Sequence, residues 1–402
     1  MVRRSVLAIV AAVAVVLGCV VVVSTPVGAV VDSAVVVPSP NVGLSGDALD
    51  SVSCVSATQC VAVGYSFSGS AVETLVMVWD GSVWSVVSSP NAGTIEDRLS
   101  SVSCVSATQC VAVGHTVTES GSVVETLVMV WNGTVWSIVS SPNARSFDML
   151  GSVSCVSETQ CVAVGYSYSG SADETLVMVW DGTDWSIVPS PNAGASGDQL
   201  RSVSCVSATQ CVAVGNSSTD PVIETLVMVW DGSVWSVVSS PNAGTSNDVL
   251  RSVSCVSATE CVAVGNTVSG SVDATLVMVW DGSVWSIVSS PNAGSFDVLD
   301  SVSCTTASDC VATGYTFTGT AAETLVMVWD GSEWSIVSSP NPGTVANVLR
   351  SVSCVSASEC VAVGTTRSDS PDETLVVSLT GPVPPSTTTT ASSQPVTPAF
   401  TG

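Results

Sequence analysis

Apolar residues alternate with serine, threonine and other small polar residues in short runs along most of the chain. Between residues 47 and 91 there are four such runs, at 49–54, 60–66, 74–79 and 83–88, named strands a, b, c and d here. Alternation and a content rich in Val, Thr and Trp are typical of β-strands. Turn residues separate the runs, and no run keeps a helical period over the length that a helix needs. The pattern predicts an all-β protein.

The four-strand unit recurs seven times. The first cysteine of each copy marks a spacing of 49 to 51 residues: Cys54, Cys104, Cys155, Cys205, Cys255, Cys304 and Cys354. A period of this length with several short strands is typical of β-propeller blades. The repeats therefore predict a seven-bladed β-propeller of four-stranded blades over residues 33–381, with a β-solenoid as the alternative.

The two ends of the repeat array complement each other. The seventh copy stops after its strand c, at residues 373–379, and has no strand d. Near the N-terminus, residues 36–41 (VVPSPN) match residues 187–192 (IVPSPN), which follow Trp185 at the end of the third copy. We expect the N-terminal strand to pair with the last repeat and close the ring, which removes exposed sheet edges.

Both termini differ in composition from the repeats. Residues 1–29 have a basic start and a long apolar run, which predicts a signal peptide. The apolar run is long enough to span a bilayer, so an uncleaved membrane anchor is one alternative. Cys19 lies in a sequence that resembles a lipoprotein box, so lipid attachment is another. Residues 382–402 are rich in Pro, Thr and Ser and predict a disordered tail. The protein is expected to be secreted, or tethered at the cell surface.

The other cysteines form seven Cys-x5-Cys pairs across the turn between strands a and b. In an exported protein these pairs predict disulfides. The pairs are Cys54 and Cys60, Cys104 and Cys110, Cys155 and Cys161, Cys205 and Cys211, Cys255 and Cys261, Cys304 and Cys310, and Cys354 and Cys360. A zinc site would need further ligands, and His115 is the one histidine in the chain.

The turn between strands c and d has a recurring sequence, WDGSVWS at residues 79–85. It resembles the Asp-box (BNR) turn of sialidase-type propellers, although Asp80 and Gly81 are adjacent here and the upstream serine is missing. In that family the turn is structural. A platform of Trp79 and its equivalents for sugar rings is the alternative function.

The repeat as a whole, over residues 34–381, resembles the Cys-paired propeller repeats of secreted actinobacterial proteins. That resemblance implies a propeller fold and an extracellular location, and it brings no established activity.

Charge restricts the choice of partners. The chain has 33 acidic residues against eight arginines, with a net charge of −25. Such a surface repels phosphate backbones, which argues against nucleic-acid binding. We expect a monomer whose partner is an extracellular glycan or protein. Contact with a membrane is expected only through the N-terminal segment, if that segment is uncleaved or lipidated.

The connections from strand b to strand c and from strand d to the next strand a vary between copies, and both emerge on the same face of a blade. That face is the predicted binding face, and unconstrained drift of the loops is the alternative. An acid precedes strand a in six copies: Asp47, Asp97, Asp148, Asp198, Asp248 and Asp297. These carboxylates could attract calcium near the central channel, or each could stabilise its own turn.

A second position on the same face breaks the symmetry. The residue before each Ser-Val-Ser-Cys is, in order, Asp50, Ser100, Gly151, Arg201, Arg251, Asp300 and Arg350. Arg201, Arg251 and Arg350, together with Asp50 and Asp300, are the candidate binding residues, because clustered arginines suit a carboxylate or sulfate. Ordinary solvated charges are the alternative.

Three functions are compatible with these features. A binding propeller for a glycan or protein is favoured, because near-identical blades do not supply the few unequal residues that catalysis needs. A sialidase-like glycoside hydrolase or lyase and a structural envelope protein are the alternatives.

Overall fold

The computed structural model describes residues 31–117, 121, 123–369 and 371–381. The predicted signal peptide over 1–29, with Cys19, and the predicted tail over 382–402 lie outside these residues. The elements of the described residues are 28 β-strands. The part of the chain described here has no helix that is long and apolar enough to cross a membrane.

The strands follow the repeats in chain order. The N-terminal strand and the first three repeats are β1 Ser33–Val36; β2 Asp47–Ser56, β3 Gln59–Ser68, β4 Ala71–Trp79, β5 Trp84–Val86; β6 Glu96–Ser106, β7 Gln109–Val117, β8 Val124–Trp131, β9 Trp136–Val139; β10 Asp148–Ser157, β11 Gln160–Tyr168, β12 Asp173–Trp180 and β13 Trp185–Ile187. The remaining repeats are β14 Gly197–Ser207, β15 Gln210–Ser218, β16 Ile223–Trp230, β17 Trp235–Val238; β18 Asn247–Ser257, β19 Glu260–Ser269, β20 Val272–Trp280, β21 Trp285–Val288; β22 Phe296–Thr306, β23 Asp309–Phe317, β24 Ala322–Trp329, β25 Trp334–Val337; β26 Ala346–Ser356, β27 Glu359–Arg367 and β28 Glu373–Thr380.

The first six repeats each fold into an antiparallel sheet in the order a, b, c, d, and in the seventh β1 takes the place of strand d. In the fourth repeat, β14 pairs with β15, β15 with β16, and β16 with the short β17. Strand d is shorter than the sequence predicted, because the Ser-Ser-Pro-Asn segment after it leaves the sheet. Asn242 then accepts a hydrogen bond from the Thr225 amide at 2.8 Å, which ties this segment back to strand c.

All seven predicted disulfides are present and join strands a and b of the same repeat. Cys205 and Cys211 lie directly opposite each other in the antiparallel ladder, with their Cα atoms 4.0 Å apart. The disulfide prediction is confirmed, and so many disulfides indicate an oxidising compartment.

The hydrophobic core lies between neighbouring blades. Leu250, Met278 and Trp285 of the fifth repeat pack against Val214 and Val227 of the fourth. The same positions form equivalent clusters between other neighbouring repeats. Each blade is therefore stabilised mainly by its two neighbours.

Serine hydroxyls connect the innermost strands. The Oγ of Ser202 accepts the amide hydrogen of Val253 at 3.2 Å, from one repeat to the next. The same contact runs from the last repeat to the first, where Ser351 accepts from the Val52 amide at 3.1 Å. These hydroxyls satisfy backbone donors that the inner edge of each sheet would otherwise leave unpaired.

Strand β1 lies antiparallel beside β28, the last strand c. Val36 is paired with Val377 in the same register that pairs Ile187 with Met178 in the third repeat. Beyond β1, Asn41 accepts from the Thr374 amide at 2.7 Å, as Asn242 does in the fourth repeat. The prediction of an all-β propeller built from repeated blades is confirmed.

Candidate functional site

One cavity lies where the innermost strands begin, and all seven residues that precede Ser-Val-Ser-Cys line it. Its volume is about 340 Å³. These residues are Asp50, Ser100, Gly151, Arg201, Arg251, Asp300 and Arg350. The structure thus brings together the five candidate binding residues, which come from the first, fourth, fifth, sixth and seventh repeats.

A β-bulge presents each of these side chains. In the fourth repeat Leu200 pairs with Gly215 and Ser202 pairs with Val214, so Arg201 is the extra residue between them. The same register shift occurs in every strand a. A bulge redirects one side chain out of the regular alternation.

A glycine on strand b makes room for the bulge. A Cβ atom built at Gly215 would collide with the carbonyl oxygen of Gln199 on the paired strand. Every repeat has a glycine at this position, in a Val-Ala-Val-Gly or Val-Ala-Thr-Gly segment, because a larger residue would collide with strand a. The bulge and this glycine together position the cavity side chains.

Further cavity residues were missed by the sequence reasoning. Arg98, Met149 and His115 also line the cavity, as do Tyr166 and Gln199. Two signals could have identified these residues. Arg98, Met149 and Gln199 each lie two positions before a predicted cavity residue, and residues two apart on a strand usually share a face. In the a–b hairpin, Arg98 pairs with His115 and Met149 pairs with Tyr166.

Two arginines share one carboxylate. The Asp50 carboxylate accepts from Nε of Arg98 at 2.8 Å, and its other oxygen lies 3.4 Å from Nε of Arg350. The Arg98 guanidinium also lies over the ring of Tyr65, at 4.2 Å from its centroid. These contacts hold Arg98 and Arg350 at the cavity wall.

Asp300 is the second acid of the cavity. Its carboxylate lies 3.4 Å from Nη1 of Arg251, and its side chain is 15% exposed. Burial raises the pKa of Asp300 above its ordinary value, although Arg251 and Arg350 act in the opposite direction. Protonation of Asp300 would therefore leave Arg251 without a charged partner.

Arg201 differs from the other cavity arginines because both its contacts are neutral. Nε donates to Asn216 Oδ1 at 2.8 Å, and Nη2 donates to Gln199 Oε1 at 3.0 Å. Among the described residues no carboxylate lies within ion-pair distance of this guanidinium. Loss of solvation and then the neighbouring charge of Arg251 lower the pKa of Arg201 from its usual value. An anion in the cavity would relieve that repulsion.

Tyr166 also lines the cavity. Its hydroxyl donates to Sδ of Met149 at 3.1 Å. Burial first, and Asp173 second, raise the pKa of Tyr166. The raised pKa favours the neutral hydroxyl, which suits a hydrogen-bond donor.

The six aspartates proposed for calcium each hold their own loop. Asp248 is 2% exposed and accepts the amide hydrogen of Gly244 at 3.0 Å. The other five carboxylates make the same kind of contact within their loops, and Asn347 replaces them in the seventh repeat with a bond from Gly343 at 2.7 Å. Within the described ranges no three His, Cys, Asp or Glu side chains are grouped to hold a metal ion. The structure therefore does not gather these carboxylates, and their contacts are those of the turn-stabilising alternative.

The turn between strands c and d is held by its aspartate. Asp80 Oδ1 accepts from the Ser82 amide at 2.8 Å and the Val83 amide at 2.9 Å. The hydroxyl of Ser82, followed by these amides, lowers the pKa of Asp80. Trp79 donates its Nε1 hydrogen to the Ala57 carbonyl at 3.1 Å, which joins this turn to the hairpin between strands a and b.

No family model matches the chain, and no curated protein matches it. Among solved structures, the chain is similar to "YCF48 bound to D1 peptide", with a TM-score of 0.54 and 12% identity over 88% of this chain and 96% of that chain. It is also similar to YCF48 from Cyanidioschyzon merolae, with a TM-score of 0.52 and 13% identity over 86% of this chain and 98% of that one. At these identities the likeness concerns the fold alone, and that fold is the β-propeller.

Proposed function

We propose that the protein is a non-enzymatic binding propeller that takes a carboxylate-bearing segment of a partner protein into its central cavity. The proposal places the protein outside the cell, consistent with its seven disulfides. The variable loops between strands b and c and between strands d and a surround the opening and give the partner further contacts.

The observation that carries the proposal is the charge of the cavity. Four of the eight arginines of a chain with net charge −25 line this one cavity, against two aspartates. Arg201 has only neutral partners among the described residues. A guanidinium presents a planar pair of donors that matches a carboxylate, so a ligand carboxylate would complete the site.

A protein segment is favoured over a free glycan on two grounds. The cavity volume of about 340 Å³ suits one or two side chains better than a long polymer. One structural neighbour is described as bound to a peptide, which shows that a propeller of similar fold can accept a peptide.

A titration with defined peptides tests the proposal. Short acidic peptides and their Asn or Gln counterparts are added to the whole protein, and the Nε–H signals of its arginines are followed by NMR. We expect the acidic peptides to shift the Arg201 signal, and Arg201→Gln to weaken their binding about tenfold or more.

Arg145→Gln is the matched control. Arg145 lies outside the cavity, where its Nη2 is 2.7 Å from Glu174 Oε2 and its side chain is 41% exposed. Arg145 belongs to the d–a loop between β9 and β10, so its replacement removes one charge beside the opening but should keep the preference for acidic over amide peptides. Equal affinity of acidic and amide peptides for the unmodified protein would contradict the proposal.

A glycoside hydrolase or lyase remains the second candidate, because the cavity combines Arg201, Arg251 and Arg350 with Tyr166 and Asp300. The raised pKa of Asp300 is a property of general acids. Turnover of a fluorogenic sialoside or uronide that is lost in Arg251→Ala would favour this candidate over a binding role.

A further inference from the structure

Three clefts of similar size lie between neighbouring repeats at the end of the blades that carries the a–b hairpins and c–d turns. Their volumes are about 290 Å³ between the second and third repeats, 300 Å³ between the third and fourth, and 330 Å³ between the fourth and fifth. They lie at the opposite end of the strands from the central cavity. Volumes of this size are at the lower end of small-molecule sites.

Each cleft combines indole rings with neutral polar side chains. Between the third and fourth repeats, the half-buried Trp180 and Trp230 line the cleft together with Thr159, Gln160 and Ser207. Trp230 packs against the core between these two repeats, and its Nε1 donates to the Ala208 carbonyl at 3.2 Å. The indole is thus held rigidly where it lines an open cleft.

A fourth cleft differs from these three: it has no tryptophan in its lining, and Leu379 stands where Trp180 lies in the third repeat. The first residue of strand b lines each of the three, and it is Gln109, Gln160 or Gln210. In the cleft between the seventh and first repeats it is Glu359, and that cleft has only about 80 Å³. The blades are therefore unequal at this end of the molecule.

Gln109 places an unpaired acceptor at the cleft between the second and third repeats. Its Oε1 atom is buried and has no hydrogen-bond partner, although it belongs to a residue that lines the cleft between the second and third repeats. A buried acceptor without a partner costs free energy unless a ligand or water donates to it.

We propose that these three clefts bind neutral sugar rings. A pyranose ring presents C–H groups that pack on an indole face and hydroxyl groups that bond to amide and hydroxyl side chains. The linings contain both kinds of group, no arginine and one acid each, which are Asp181, Glu158 and Asp231. The carboxylate of Asp181 in the middle cleft is exposed, and its Oδ1 is already occupied by the Thr183 amide and hydroxyl, so an organic cation gains little there.

The recurrence of the cleft makes the site multivalent. One rigid molecule presents three equivalent sites, so an oligosaccharide surface would bind far more tightly than one sugar ring. This inference is independent of the central cavity, which lies at the other end of the strands and would take an anion.

The experiment is a titration of the protein with its twelve tryptophans labelled with ¹⁵N at the indole nitrogen. A panel of neutral gluco-, galacto- and manno-oligosaccharides is added in turn. We expect millimolar binding by at least one series, with shifts in the signals of Trp131, Trp180, Trp230 and Trp280, which line the clefts. The buried Trp185 and Trp235 act as internal controls.

Two variants locate the effect. The triple variant Gln109→Met, Gln160→Met and Gln210→Met should bind about tenfold more weakly, because the thioether keeps the length of the side chain and removes the amide acceptor and donors. Arg201→Gln should leave sugar binding unchanged while it weakens acidic-peptide binding about tenfold or more. Absence of any shift across the whole panel would overturn the inference. So would shifts that survive the triple variant, or shifts produced by tetramethylammonium and not by sugars.

Discussion

At the residue scale, the two serines of each Ser-Val-Ser-Cys segment have a role that the strand pattern did not predict. Their hydroxyls accept amide hydrogens from the next inner strand, as in the 3.0 Å bond from Cys255 to Ser204. Alternation alone predicts that these serines lie on one face of a strand. It does not predict their acceptor role, because a hydroxyl is equally well satisfied by water.

His115 is the residue whose titration the structure connects most directly to stability. It is 5% exposed, and its Nε2 lies 3.4 Å from Glu96. Burial lowers the pKa of His115, although Glu96 acts in the opposite direction. The unfolded chain therefore binds a proton at pH values below about 6.5 where the folded chain does not, so stability falls as pH falls.

We predict that His115→Asn removes this pH dependence. Asn216 and Asn266 occupy the equivalent position in the fourth and fifth repeats, so the fold accepts asparagine there. Urea unfolding measures the free energy of unfolding of both proteins between pH 7.5 and 5. That of the unmodified protein should fall, relative to the variant, by up to about 1.4 kcal/mol per pH unit. Parallel stability curves for the two proteins would show that the histidine stays protonated, or is accessible, in the folded state.

At the element scale, the unit of four strands and its period were predictable because turn residues and alternation recur in every copy. The ends of the strands were predicted less accurately. Strand a of the fourth repeat starts at Gly197, which is earlier than the alternation indicated, and strand d ends at Val238, before the Ser-Ser-Pro-Asn segment. The bulge at Arg201 was not predictable, because a single extra residue does not alter composition. The position before Ser-Val-Ser-Cys was found instead from its variation between copies.

The bulge predicts a strong effect of one methyl group. Gly215→Ala should displace strand a at Gln199 and destabilise the protein by more than about 2 kcal/mol, because the added Cβ meets backbone. Gly151→Ser is the matched control within the bulge itself. Ser100 already occupies the equivalent position in the second repeat, so thermal unfolding should be nearly unchanged. Similar melting temperatures for Gly215→Ala and the unmodified protein would contradict the description of the bulge.

At the scale of the whole molecule, the N-terminal strand connects the two ends of the array. Val31 is 2% exposed and packs with Val377 and Leu379 of the last strand. The sequence predicted this pairing because residues 36–41 match the segment that ends strand d in the other repeats, such as residues 187–192. It could not predict the central cavity as a whole, whose lining comes from strands far apart in sequence.

Removal of residues 31–41 tests the role of β1. Burial of Val31 alone contributes roughly 1.5–3 kcal/mol, and its loss also exposes the edge of β28. We predict a lower melting temperature and a concentration-dependent association through that edge in size-exclusion chromatography. Val35→Ser, at a residue that is 59% exposed on the same strand, should change neither. An unaltered melting temperature and a monomer after the deletion would mean that β1 does not contribute to closing the array.

The charge distribution is also a property of the whole molecule. A chain with net charge −25 repels acidic partners at long range, yet its central cavity carries an excess of arginine. We therefore expect an acidic partner to bind at this cavity. Added salt should raise the association rate of that partner, because it screens the long-range repulsion, and should also raise the dissociation rate, because it weakens the contact with the arginines.

The most direct measurement of the central claim is a selection of binders from a random peptide display library on the immobilised protein. In parallel, the same library is selected on Arg201→Gln and on Arg145→Gln. The account predicts that aspartate and glutamate are enriched at one fixed position on the unmodified protein and on Arg145→Gln, and that this enrichment disappears on Arg201→Gln. Peptides without acidic residues, or an enrichment that persists in Arg201→Gln, would contradict a carboxylate-binding cavity.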